Sequence, residues 1–521
     1  TPLRKLAVQI QESSRGPVTR RVITTDVATL DLTSVEPDPR ITPTGGGIDA
    51  FGNDVLVMSF RGEFYLYHGA DAERPFTPLN IAADNGYDLY REHIARNGLD
   101  IPNADTYFRF IDVVYDQNDT APAVWISHHQ WHDDRSCYTL RLSRLALSPG
   151  TSLERVSARP EDWEAIYDTV PCLPLDADTP MFEGHFSGGR IVVIGPDAVL
   201  MSVGDHGFDG WRVPRMLPQE AGSDYGRILL VHPLSGTATP VSMGHRNPQG
   251  LFVTADGSIW STEHGPRGGD ELNLIVEGGN YGWPYVTYGA QYGMSTWPLS
   301  EQQNRHDGYV KPVFVWLPSI GISSLIQVHG FLPQWDGDLL VSSLRQQTLH
   351  RLRYAEGRVI FDEPIEVRER IRDLDQREDG TIIIWTNAAT IMELKPEASV
   401  EPDLLALVSD LPDPMRHQAL STIGTCLQCH SASPGGEATS APDLWDVFGR
   451  PIAGTDFGGY SAALKHHSGR WDDATLDAFL TDVQAFAHGS TMGFSGISDD
   501  TVRATVIAYL EALQDNAGTP P

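Results

Sequence analysis

Cysteine is scarce in this chain: four in 521 residues, two of them within one five-residue segment. So few thiols exclude a fold held together by many disulfides. Basic residues are outnumbered, Lys and Arg totalling 38 against 69 Asp and Glu, for a net charge of −31. Such a surface repels phosphate backbones and anionic membranes, which argues against nucleic acid and lipid as partners. No apolar run approaches the ~18 residues that would mark a membrane-spanning helix. Helical periodicity is nearly missing from residues 1–395, where Gly and Pro are dense. The chain opens on Thr1 rather than Met, and it is read as a mature or trimmed form that does not include its signal segment.

The most specific feature present is Cys426-Leu427-Gln428-Cys429-His430. C-x-x-C-H is the attachment pattern of a c-type haem: two thiols on one turn each bond a vinyl group, and the next residue, His430, ligates the iron. Zinc is the competing use of C-x-x-C. It would need further ligands, yet no other Cys lies in this half of the chain, and His466 and His467 are adjacent in a loop context. Met492 is the only methionine after the motif and is the expected sixth ligand, with core filling as its alternative. His/Met ligation favours the reduced iron and marks an electron carrier. Cys137 and Cys172 lie far upstream, and pairing or two buried thiols both remain open.

Upstream, one pattern recurs: a turn, a short apolar strand, a polar break and another strand. It begins at Gly52-Asn53, after Ala121, at Pro196-Asp197, at Asp256-Gly257, at Asp336-Gly337 and at Asp379-Gly380. Six imperfect copies predict radial repetition of small antiparallel sheets, a six-bladed β-propeller, because closing a ring leaves few free sheet edges. A β-sandwich or two stacked β domains is the alternative. Residues 1–395 are thus expected to form an all-β propeller, 396–414 a Pro- and acid-rich linker, and 415–521 a small all-α domain. In the last part, a helix is expected at Asp472–Leu480. A final helix with Ser498 as N-cap carries Val502, Val506, Leu510 and Leu513 as its apolar stripe.

From about His417 to Leu513 the chain resembles the single-haem cytochrome c family. Pro442 and Leu444, Gly449–Gly454, Phe457–Leu464, Trp471, Met492 and Ala508–Leu510 follow in family order, with His488-Gly489-Ser490 in place of the usual Pro-Gly-Thr. The resemblance implies that the Pro442 carbonyl orients His430 and that Tyr460 and Trp471 contact the haem propionates.

The richest propeller segments are Gly244–Gly250 (GHRNPQG), Glu263–Glu271 (EHGPRGGDE) and Gly279–Pro284 (GNYGWP). Arg246 offers a planar fork for carboxylate or quinone oxygens. The glycines let backbone carbonyls approach a hard cation, and Asp270 and Glu271 add carboxylates, an oxygen set that suits Ca2+. Ordinary propeller turns with surface charges are the bland alternative. With GHFSGGRIV, VGDHG, SSLRQQ and RERIRD, these motifs resemble the soluble quinoprotein glucose and aldose sugar dehydrogenases, six-bladed propellers that bind pyrroloquinoline quinone (PQQ) and calcium. The resemblance spans roughly Phe182 to Leu394. It implies His185 as catalytic base and Asp205 as the acid orienting that base or the substrate. It gives Arg246, Asn247, Arg345, Arg370 and Arg372 as PQQ contacts. The Gly265 and Pro266 carbonyls match the calcium at PQQ, and Glu271 with the Tyr281 carbonyl a structural calcium. The early blades depart from the family: residues 105–116 (DTYFRFIDVVYD) lack its active-site glutamine and carry Arg109 and Asp112 instead, and residues 80–103 and 128–134 (HHQWHDD) are also atypical.

These readings combine into a periplasmic or secreted quinohaemoprotein dehydrogenase. It is expected to oxidise an aldose C1–OH to a lactone, or a non-sugar alcohol or hydroxyaldehyde, with PQQ, Ca2+ and haem c. Two one-electron transfers per turnover pass to the haem, and an external acceptor then empties it. A catalytically inactive haem-bearing binding or sensor propeller is the alternative from another class.

Overall fold

The computed structural model describes residues 18–25, 28–101, 104–118, 120–176, 182, 184–302, 304–396, 408, 411–427, 429–432, 441–490, 492, 494 and 496–513. Most of the expected linker, 396–414, falls outside them. The chain divides into two compact units. One comprises the bulk of residues 32–394, and the other Lys395–Pro521 together with Val22–Asp31 and Val328–Gly337.

Among the described residues the larger unit holds six chiefly antiparallel sheets of four or five strands, one per blade; the short edge strand Gly279–Asn280 pairs parallel to Thr237–Met243. The recurring turn–strand–break–strand segments supply the second and third strands of each blade, such as Asp54–Met58 with Phe64–Tyr67 and Ile382–Thr386 with Ile391–Pro396. The first strands are Gly47–Phe51, Phe110–Asp116, Gly188–Gly195, Pro248–Val253, Ile322–Gln327 and Ile371–Gln376. Each contacts the first strand of the neighbouring blade, so together they line the axis. Blade six takes its outer strands from the N-terminal end, Thr29–Val35 lying beside Ile391–Pro396, which closes the ring.

The axial strands face the axis with an unpaired edge, and buried polar groups there need partners. Side chains from adjacent blades provide them. Asp49 accepts from the Tyr115 amide (2.9 Å), Asp112 from Ile191 (2.8 Å), Asp373 from Ile48 (3.1 Å) and Asp375 from Ala50 (2.6 Å). Arg190 joins Asp112 (2.7 Å) and Asp373 (2.6 Å), neutralising part of this buried charge. Burial and mutual repulsion push the Asp49 carboxyl well above the usual range. The core of this unit is apolar and aromatic, with Trp125, Trp297 and Trp385 fully buried.

Two early departures are structural. The atypical insert contains a helix, Tyr87–Asn97, that lays Tyr90 and Ile94 into the core. In the HHQWHDD run, His128 bonds Ser143 Oγ (3.0 Å), and burial pushes its pKa down to about 4, as expected of a neutral core histidine. Cys137 and Cys172 form a disulfide with Cα atoms 5.7 Å apart, which resolves the alternative left open by the sequence.

In the smaller unit, helices Asp413–Leu427, Asp473–Thr481 and Asp500–Ala512 surround one apolar cluster. The Asp473–Thr481 helix is capped by Asp472, which accepts from Thr475 N. The final helix starts one residue later than expected: Asp499, not Ser498, is the N-cap, accepting from Thr501 N (2.9 Å) and Val502 N (3.0 Å). A carboxylate gains from the helix dipole there as a hydroxyl does not. Val502, Val506, Leu510 and Leu513 are buried as the stripe requires. No helix among the described residues is long and apolar enough to cross a membrane.

Candidate active site and haem-attachment site

At one end of the propeller axis, the turns entering the first strands surround a cavity of ≈ 880 Å³. His185, Arg246, Asn247, Gly265, Pro266, Arg345, Arg370 and Arg372 all line it. These residues are far apart in sequence, and the ring brings them together.

His185 lies in a single 3-10 turn, Gly184–Phe186, just before the blade-three first strand. Its carbonyl accepts from Asn247 Nδ2 at 3.2 Å, and its ring lies 4.7 Å from the ring of Tyr107. Burial, then the charges of Arg246, Arg109 and Arg212, push the imidazole down to about 3. It is therefore neutral at physiological pH, with a lone pair to accept a proton.

Asp205 is fully buried and does not line the cavity. Trp283 Nε1 donates to its Oδ2 at 2.7 Å and Gly207 N to its Oδ1 at 2.8 Å. Burial and the nearby Asp209 carboxylate push it up to about 7. The G-N-Y-G-W-P motif gives no role to Trp283; the fold uses its indole to fix this carboxyl group.

Arg246 is buried and crosses the cavity wall, donating through Nη1 to the carbonyls of His264 (3.1 Å) and Gly265 (3.0 Å). The Gly265 carbonyl, expected to face a calcium ion, thus points toward the guanidinium. A Cβ on Gly265 would stand 2.3 Å from the Gly268 and Gly269 carbonyl oxygens, so only glycine permits this tight loop. Arg370 donates to Leu344 O (3.2 Å) and Arg372 Nε to Asn387 Oδ1 (2.9 Å). Gly321, at φ +71°, lets the Arg345 backbone pass: a Cβ there would meet the Arg345 Cβ at 2.8 Å.

Six arginines line the cavity, and among the described residues only Arg212 has a carboxylate partner, Asp209 at 2.8 Å. So many unneutralised guanidiniums in a concave site call for a polyanion, and the tricarboxylate PQQ fits that demand. Beside the cavity, a void of ≈ 10 Å³ is lined by residues including Glu263, Glu271, Tyr281 and His306. Burial and the neighbouring Glu263 push Glu271 well above the usual carboxyl range. Two buried carboxylates at one small void fit a cation. Among the described residues no cluster of three or more His, Cys, Asp or Glu can hold a metal, so such a cation would depend on backbone carbonyls as well.

In the helical unit, His430 N and Cys429 N both bond the Cys426 carbonyl (3.1 and 3.2 Å), which sets the motif on one turn at the end of the helix. His430 Nδ1 lies 2.7 Å from the Pro442 carbonyl. A carbonyl only accepts, so Nδ1 carries the proton and Nε2 keeps the lone pair an iron needs. Tyr460 bonds Thr455 (2.8 Å), Trp471 stacks on Phe486, and Met492 is half-buried against the apolar cluster. The residues present fit a haem.

Fold and site define a six-bladed propeller with a cationic cavity, carried in one chain with a small helical unit bearing C-x-x-C-H. Residues 110–393 match the Glucose / Sorbosone dehydrogenase family. Over 285 residues the chain is 27% identical to the Escherichia coli aldose sugar dehydrogenase YliI, covering 51% of this chain and 71% of that one. Over 122 residues it is 33% identical to a cytochrome c homologue of Rickettsia typhi, covering 22% of this chain and 70% of that one. A solved glucose dehydrogenase superposes with a TM-score of 0.54 at 22% identity, covering 73% of this chain and all of that one, a likeness of fold. The chain belongs to the glucose/sorbosone dehydrogenase family and carries a cytochrome c module as well. Among curated relatives of the propeller, it spans between 29% and 71% of their length.

Proposed function

We propose that this protein is a quinohaemoprotein dehydrogenase that oxidises the C1 hydroxyl of an aldose to a lactone. The observation that carries the reading is the neutral, buried His185 in a cavity where five arginines have no carboxylate partner among the described residues. When bound, PQQ with its calcium supplies a two-electron acceptor, and haem c a one-electron outlet.

The chain's own residues then have definable roles. His185 accepts the substrate hydroxyl proton, and burial, with the positive charges around it, keeps it unprotonated beforehand. Arg246 places a donor-rich fork where negative charge develops. Asn247 holds the His185 turn through its carbonyl, and Gly188 N in turn donates to Asn247 Oδ1 (3.2 Å). Arg345, Arg370 and Arg372 take the cofactor carboxylates. The Pro266 carbonyl would hold the calcium at the cofactor, joined by the Gly265 carbonyl once that oxygen is released from Arg246, and Glu271 with the Tyr281 carbonyl would hold a structural one. Asp205, fixed by Trp283 behind the wall, would orient the base or the substrate through the residues it packs against.

In the helical unit, Cys426 and Cys429 carry the haem, His430 and Met492 ligate the iron, and Tyr460 and Trp471 meet the propionates. An external acceptor takes the electrons onward. The disulfide, the haem-attachment motif and the acidic surface support a periplasmic or secreted location. The test is to reconstitute the protein with PQQ and Ca2+ and add a panel of aldoses and simple alcohols. The haem should reduce with at least one aldose. No reduction with any member would leave the inactive binding or sensor propeller as the better account.

A further inference from the structure

Arg246 carries much of the scheme above, yet its polar contacts do not fix the plane of its fork. Among the described residues its side chain is hydrogen-bonded through Nη1 alone, to the carbonyls of His264 and Gly265. Its Nε is buried with no hydrogen-bond partner among them. Bonds from a single nitrogen leave a guanidinium free to pivot, and a planar fork meets an oxyanion well only in a defined plane. Aromatic faces supply the missing constraint. The guanidinium carbon lies 4.4 Å from the centre of the Phe186 ring and 5.4 Å from that of Trp283.

Phe186 is the nearer ring and has no role in the scheme. It lines the cavity beside His185, the two rings 3.9 Å apart. Its own place is set by the backbone. It ends the 3-10 turn Gly184–Phe186, and its carbonyl accepts from His206 N at 3.2 Å. Gly204 allows this approach, because a Cβ there would stand 1.9 Å from the Phe186 carbonyl oxygen. A second guanidinium, that of Arg212, lies 4.9 Å from the same ring. Arg212 is held independently by Asp209 at 2.8 Å, and Asp209 in turn accepts from the amides of Trp211 (2.9 Å) and Arg212 (2.8 Å). Arg246 has no such carboxylate among the described residues, so it is the cation that depends on the ring.

We propose that Phe186 is a positioning residue, whose ring face holds the Arg246 guanidinium in the plane in which its fork meets the cofactor. The inference rests on the reading of Arg246 as a PQQ contact and adds the residue that aims it. The dependence grows in the loaded site, where the Gly265 carbonyl is released from Arg246 and one of its two hydrogen bonds goes with it. A cation over a desolvated aromatic face is worth roughly threefold to thirtyfold in affinity, so a ring replaced by an aliphatic group should cost about tenfold.

The test is a pair of double-mutant cycles, read as the PQQ affinity of the haem-loaded full chain in excess Ca2+ by equilibrium dialysis. Phe186→Leu alone should weaken PQQ binding about tenfold, and Phe186→Tyr, which keeps the ring face, less than about threefold. In an Arg246→Gln background Phe186→Leu should cost less than about twofold more, whereas in an Arg370→Gln background the two losses should multiply. Unchanged affinity in Phe186→Leu would overturn the proposal, as would a loss in Phe186→Tyr as large as that in Phe186→Leu. An equal loss in the Arg246→Gln background would overturn it too, and that is the outcome a general fault in folding gives. Coupling of Phe186 to Arg246 in a protein whose haem no sugar reduces would keep this assignment and sink the dehydrogenase reading.

Discussion

Trp283 donates its indole N–H to Asp205 at 2.7 Å, joining residues 78 positions apart behind the cavity wall. The bond holds a carboxyl group in a place where burial disfavours its charge. It also sets Trp283 5.4 Å below the Arg246 guanidinium, so carboxyl, indole and cation form one layer under the cavity.

This layer gives a pH signature. Asp205 has a folded pKa raised to about 7, so its contribution to stability is present below the unfolded value and lost as pH rises through 7. Asp205→Asn removes the titration. In protein free of PQQ and calcium, wild type should lose stability relative to Asp205→Asn by up to about 1.4 kcal/mol per pH unit between roughly pH 5 and 7, levelling above that. Urea unfolding across that range reads it, and parallel pH profiles would remove the buried-carboxyl account.

His185→Ala should bind PQQ with near-normal affinity yet reduce the haem about 10²- to 10⁴-fold more slowly, the usual cost of losing a general base. Stopped-flow haem absorbance after substrate mixing measures it. A normal rate would take His185 out of the base role.

Arg190 is the single cation joined to Asp112 and Asp373 on the propeller axis. Arg190→Met strands two buried carboxylates, and the cost should be about 3–5 kcal/mol. Denaturant unfolding of the full chain should show that loss at neutral pH, and it should shrink toward pH 5 as Asp112, whose carboxyl burial pushes up to about 7, protonates.

Met492→Ala should change the haem absorbance spectrum and admit imidazole or cyanide to the iron. An unaltered spectrum and unaltered access would point to a different sixth ligand.

The sequence carried the middle of each blade and the haem turn, but not the axis. Second and third strands announce themselves through Asp-Gly, Pro-Asp or Gly-Asn turns before apolar runs, as at Asp256-Gly257 and Asp379-Gly380. First strands carry polar groups on the axial side, so their apolar signal is weak. A shared signature exists in Gly47-Ile48-Asp49, Phe110-Ile111-Asp112 and Ile371-Arg372-Asp373, an aspartate two residues in from the strand start. It becomes readable once each aspartate is seen accepting an amide from the next blade. His185, Arg246 and Arg372 sit in motifs legible in the sequence. Arg109 is visible there only as a departure, because burial is a property of three dimensions. Ser498, Asp499 and Asp500 are all competent caps in sequence, and only the geometry selects Asp499.

The measurement bearing most directly on the central claim is the rate of haem reduction in reconstituted protein at several protein concentrations, with saturating substrate and no added mediator. If a cofactor at His185 feeds the haem of the same chain, the observed first-order rate stays constant as protein concentration rises tenfold. A rate that scales with protein concentration, or a haem that stays oxidised while PQQ is reduced, would contradict the account.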